Sequence, residues 1–123
     1  MMGFRRSVAL PYYPWSPHNK AEIRTFQIPS FLMDGNLFYS PLPVDVAVET
    51  IMTQVKVIKQ FGGVGIIDWH VRTSVPLNKE YENWGKAYVA TLESLAQDSE
   101  IWVTSVKDIA DWIKVRSAKL GLA

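Results

Sequence analysis

The sequence predicts an α/β protein built as a partial (β/α) barrel of about three βα units, and three observations lead there. From Pro43 onward, stripes of apolar residues at helical spacing alternate with short apolar runs bounded by glycine or polar residues. The order reads β-α-β-α-β-α, which builds parallel strands joined by right-handed crossovers with helices packed outside. The chain has 123 residues, enough for one domain and about half of the roughly 250 residues that an eight-stranded barrel needs. It is therefore expected to form a single half-barrel unit over 1–123, with an irregular loop and strand region at 1–42 and regular βα units at 43–123.

The first region carries five of the seven prolines, between Pro11 and Pro41, and no helical period. Phe26-Gln27-Ile28-Pro29-Ser30-Phe31-Leu32-Met33 is its best strand, with Pro29 favouring an edge or a bulge. Asp34-Gly35-Asn36 reads as a turn, and an irregular strand is expected near Ser7 to Leu10. Val44, Ala47, Val48, Ile51, Val55 and Ile58 then trace a helix that Pro43 opens and Gly62-Gly63 ends. Val64-Gly65-Ile66-Ile67 reads as a buried parallel strand delivering Asp68-Trp69-His70 at its carboxyl end. Tyr81, Trp84, Tyr88, Leu92 and Leu95 mark a second helix. Ile101-Trp102-Val103 reads as a third strand, and Ser105 to Asp108 as a capping-box-like start to a last helix carrying Val106, Ile109, Ala110 and Ile113. A half-barrel leaves raw strand edges, which have to be paired, covered or shared with another chain.

Composition narrows function. With 13 Lys+Arg against 12 Asp+Glu, the net charge of +1 lacks the basic stripe of a nucleic-acid binder. The absence of Cys removes disulfides, thiolate nucleophiles and Cys-ligated zinc. No secretory signal is read, because Pro11, Pro14 and Pro17 interrupt the amino-terminal stretch, and no apolar run approaches the roughly 20 residues of a membrane span. A cytoplasmic protein without a membrane partner is the expectation.

In parallel α/β architectures the chemistry sits where strands end, a position taken by Asp34, Asp68, Trp69, His70 and Thr104. His70 is suited to proton transfer near neutral pH, with Asp68 two positions earlier on the same face of the strand; the competing reading is a His satisfying loop backbone groups. Trp69 is suited to stack on a sugar or to seal the top of the sheet. Metal-binding patterns are missing: only His18 and His70 occur, with no His-x-x-x-His and no acidic calcium loop. His18, in a Pro-rich polar loop, is expected to face solvent. Gly62-Gly63-Val64-Gly65 precedes its strand rather than following it, which removes the phosphate-loop reading.

Gly3-Phe4-Arg5 leading to Leu10-Pro11-Tyr12, Ile28-Pro29 to Met33-Asp34, Gly62-Gly63 to Asp68-Trp69-His70, and Ile101-Trp102-Val103-Thr104 with Ile109-Ala110-Asp111-Trp112 together resemble the carboxyl-terminal half of the polysaccharide deacetylase family of carbohydrate esterases, nodulation-deacetylase-like enzymes. The resemblance implies a distorted seven-stranded barrel that hydrolyses an N-acetyl group on a carbohydrate. In such enzymes a zinc or other divalent metal, held by an Asp and two His of the amino-terminal half, activates water. It further implies that His70 is the general acid, that Arg5 orients the base, and that Asp68 accompanies the His in a catalytic role. Trp69, Asp34 and Tyr12 would lie on the substrate side, Trp69 as part of the acetyl-pocket wall. The early Asp-Asp motif and the paired-His motif have no counterpart in this sequence. The expectation is thus a chain with no metal of its own, inactive alone and complemented by an amino-terminal half, or a homo-oligomer that covers its open edges. Its substrate would be a carbohydrate or small amide. A non-catalytic glycan-binding or protein-interaction module on the same fold is the alternative.

Overall fold

The computed structural model describes residues 9–121. The order is β1 (Trp15–Ser16), β2 (Ala21–Glu22), β3 (Ser30–Met33), α1 (Asp34–Leu37), α2 (Val44–Gln60), β4 (Ile66–Asp68), α3 (Glu82–Gln97) and α4 (Val106–Lys119). Single 3-10 turns at Val71–Thr73 and Lys79–Tyr81 lie between β4 and α3. The strands form two two-stranded sheets. In one, β1 and β2 make a small antiparallel hairpin; in the other, β3 and β4 run parallel.

The β3–β4 pair with α2 and α3 against it is the structural centre. Ala47, Ile51, Val55 and Ile58 are buried on α2, one residue per turn as the sequence stripe requires. They meet Phe31 and Leu32 of β3 and Ala87 and Leu95 of α3 in one core. A register shift between Ser30 and Leu32 places an extra residue in β3, and both Phe31 and Leu32 are buried as a result. The strand read over residues 26–33 is therefore shorter and bulged, with Gln27 contributing only an isolated bridge to Tyr12. Asp34-Gly35-Asn36 opens the short helix α1 rather than a plain turn.

The second helical stripe is rotated from its expected face. Gly85, Ala87, Thr91 and Leu95 are buried on α3, while Leu92 is exposed. Small residues win this face because α3 runs close to the loop before it: a Cβ added at Gly85 would lie 2.5 Å from Pro76 N and 2.6 Å from the Val75 carbonyl carbon. Gly85→Ala is expected to lower unfolding stability by about 2 kcal/mol in urea titrations, the clash outweighing the helix propensity that alanine adds.

The third strand does not form. Ile101-Trp102-Val103 pairs with no strand, so among the described residues the parallel sheet has two strands. Without a sheet to pack on, α4 buries no residue, although its Ser105 cap is as the sequence indicates, the hydroxyl accepting from Asp108 N at 3.1 Å. Ser105→Ala is expected to cost about 1 kcal/mol of helix stability. Because α4 is peripheral, the loss should show as faster amide exchange in α4 with an unchanged global unfolding midpoint. The strand expected near Ser7 to Leu10 lies largely outside the described residues; within them, Ala9 O accepts from Val64 N at 2.7 Å. Among the described residues no helix is long and apolar enough to cross a membrane.

Candidate functional site

Parallel pairing brings the carboxyl ends of β3 and β4 together, Met33 opposite Asp68, so the residues following them meet. Asp34 follows β3 and is fully buried, at 0% exposure. His70 follows β4 by two residues, and its side chain is 50% exposed. Asp34 Oδ1 lies 2.7 Å from His70 Nδ1 and accepts from Gly35 N at 2.7 Å. Asp34 Oδ2 accepts from His70 N at 3.1 Å and from the Thr73 hydroxyl. An isolated buried carboxylate would be costly, yet here every bond it makes is a donor pointing inward.

Burial pushes the Asp34 carboxyl up, but the Thr73 hydroxyl, the His70 ring and amide, and the Gly35 amide outweigh it. The group is held below its ordinary 3.8. As an anion Asp34 can only accept, so Nδ1 carries the ring proton and Nε2 is left on the exposed side. The buried acid thus fixes both the tautomer and the direction of the imidazole.

The pH consequence has a definite sign. Between the ordinary value of 3.8 and the lower value of folded Asp34, the unfolded chain binds the extra proton. The stabilisation is then complete above about pH 4 and is lost as pH falls through the folded value. Urea midpoints followed downward from pH 5 should fall more steeply for the native chain than for Asp34→Asn, and parallel curves would contradict the assignment.

Thr73 is the member that the sequence reading missed. It lies 1% exposed in the 3-10 turn after His70, and its Oγ1 also lies 2.8 Å from His70 O, while its amide donates to the same carbonyl at 3.0 Å. The three-residue step from His70 to Thr73, an ST-type turn spacing, is the signal that was present.

Trp69 sits beside the dyad. Its Nε1 donates to Thr73 O at 3.2 Å, and its ring packs against Phe38 at 6.2 Å and Tyr88 at 5.2 Å between centroids. Phe38 in turn stacks on Trp84 at 4.7 Å. This aromatic cluster stiffens the turn that carries His70 and Thr73.

Among the described residues, the sequence candidates Asp68 and Tyr12 do not join the site. Asp68 is exposed, and the acid paired with His70 is Asp34, because the partner comes from the neighbouring strand end and not from two residues back. Tyr12 exchanges two 2.9 Å backbone bonds with Gln27 and makes no hydrogen bond to His70. Arg5 lies outside the described residues. His18 is exposed, as its loop predicted. Among the described residues no group of three or more His, Cys, Asp or Glu side chains is placed to hold a metal ion. Compared with protein-family models, with curated proteins and with solved structures, the chain finds no match.

Proposed function

We propose that this chain supplies the proton-transfer side of a hydrolase that removes an N-acetyl group from a carbohydrate, in the manner of the polysaccharide deacetylases that its motifs resemble. The observation that carries this reading is the pairing of a fully buried Asp34 carboxylate with His70 Nδ1 at 2.7 Å, leaving Nε2 on the exposed side of the ring. Such a ring is held to exchange a proton at one atom only. With Nε2 protonated it donates to the nitrogen of the departing amine as the acyl C–N bond breaks, and the amine leaves neutral. Asp34 keeps its own charge throughout and orients the ring. Trp69, anchored through Thr73, is the aromatic wall assigned to the substrate in this reading.

The family's metal does not fit the described residues, since no ligand set is assembled among them. The role proposed here is therefore confined to proton delivery and substrate positioning, with metal and attacking water belonging to residues of another segment or another chain. Asp68 and Tyr12 have no part in it that the geometry supports, and Arg5 lies outside the described residues.

The test is complementation. An amino-terminal deacetylase half carrying the Asp-Asp and His-x-x-x-His segments, mixed with this chain, is expected to release acetate from N-acetylated sugar oligomers. Release no greater than from the amino-terminal half alone would overturn the proposal and favour the glycan-binding or interaction module.

A further inference from the structure

The two faces of β4 are unequal. Val64 N donates to Ala9 O and Ile66 N to Pro29 O, and His70 N reaches Asp34. Of these even-numbered amides, those of Ile66 and His70 point to the residues that flank β3. Strand alternation then turns the amides of Gly65 and Ile67 to the opposite edge, where, among the described residues, no strand pairs with β4. A groove of about 590 Å³ is lined by Gly65 and Ile67 together with Trp102, Val103 and Trp112. Thr91 of α3 lines it too, and the buried Thr91 hydroxyl has no partner among the described residues.

Ile101–Thr104, which lines the same groove, forms no helix, turn or strand, and its start is tethered. Lys59 holds Asp98 and Glu100 at 2.8 and 2.6 Å, Ile101 N donates to Asp98 O at 3.0 Å, and Ile101 packs on the core. Beyond that anchor the apolar side chains stand open: Trp102 is 57% and Val103 55% exposed. Both belong to the residue types that favour strands.

We infer that Ile101–Thr104 is a strap that swings from its Lys59-held anchor onto the free edge of β4 and becomes the third parallel strand. The crossover through α3 is of the length and kind that parallel strands require. Closure buries Trp102 and Val103, fills the groove, and offers α4 a surface to pack on. It also has a consequence at the candidate site, though it does not depend on the reaction assigned there. In the order β3, β4, strap, the carboxyl end of the strap carries Thr104 to the end of the sheet where Asp34 and His70 lie. The short tether gives the strap a high effective concentration against any separate peptide competing for the edge.

Amide hydrogen exchange on the whole chain, read by NMR, tests this. With the strap closed, Gly65 and Ile67 exchange about 100-fold or more slowly than unprotected amides. Alternation makes one of residues 102 and 103 donate to β4, so either Trp102→Pro or Val103→Pro abolishes that protection while the α2 amides of Ile51 and Val55 stay slow. Exchange of Gly65 and Ile67 at the unprotected rate in the native chain overturns the inference. So does protection that survives both prolines, or that rises with protein concentration, which would place a second copy on the edge. The native-chain rates decide the matter even where a proline variant unfolds.

Discussion

If the chain acts as proposed, replacing His70 by alanine is expected to lower acetate release in the complementation assay about 100- to 10,000-fold, the range that a positioned general acid contributes. The ring is half exposed, so its removal leaves the core intact, and the unfolding midpoint is expected to move little. That separation of activity from stability is what distinguishes a proton donor from a His that merely satisfies the loop. His70→Asn sharpens it, because an amide can keep the bond to Asp34 Oδ1 that Nδ1 makes but has no ring nitrogen through which to pass a proton. Acetate release unchanged in either variant removes His70 from the acid role.

Replacing Asp34 by alanine has the second large effect, and it falls on stability first. The amides of Gly35 and His70, the Thr73 hydroxyl and the His70 ring all point at one carboxylate. Without it, the donors that water cannot reach are left unsatisfied, a loss of about 3 kcal/mol in urea titrations. For a domain of marginal stability that is a large fraction of the total. Asp34→Asn costs less, since one oxygen still accepts, but its NH2 meets donors that cannot turn away. In nitrogen NMR the native imidazole should show a single Nδ1–H tautomer. Asp34→Asn should mix the two tautomers and lower acetate release while the chain stays folded; a ring that keeps its tautomer in that variant would show that Asp34 does not set it.

Much of this was legible where periodicity and strand ends carry the information. The stripe from Ala47 to Ile58 gave a helix of the right face, because one long amphipathic element has only one way to bury its apolar side. Asp34 and His70 were both readable as strand-end residues, since parallel strands bring like ends together. Their pairing was not readable, and Asp68 was the natural guess because alternation within one strand is visible in a sequence while the neighbour across a ladder is not. The bond from Thr73 to Asp34 was hidden for the same reason, although the spacing of Thr73 from His70 was not. The rotated face of α3 depends on how closely Pro76 approaches Gly85, a distance that no hydrophobic pattern encodes. Ile101–Val103 has the composition of a strand but is held back from one, since composition describes what a segment can pair as, and pairing needs an edge within reach.

The additional residue in β3 makes the geometry of this pocket a matter of counting. Along an extended chain each position reverses the direction of its substituent, so excising one residue from the Ser30–Met33 stretch would turn the acid of Asp34 to the other side of the ribbon. The imidazole would lose its partner although neither residue had been changed. A chain that preserves both residue types but shifts their separation by one would look equivalent in a residue-by-residue tally and still be unable to assemble the pair.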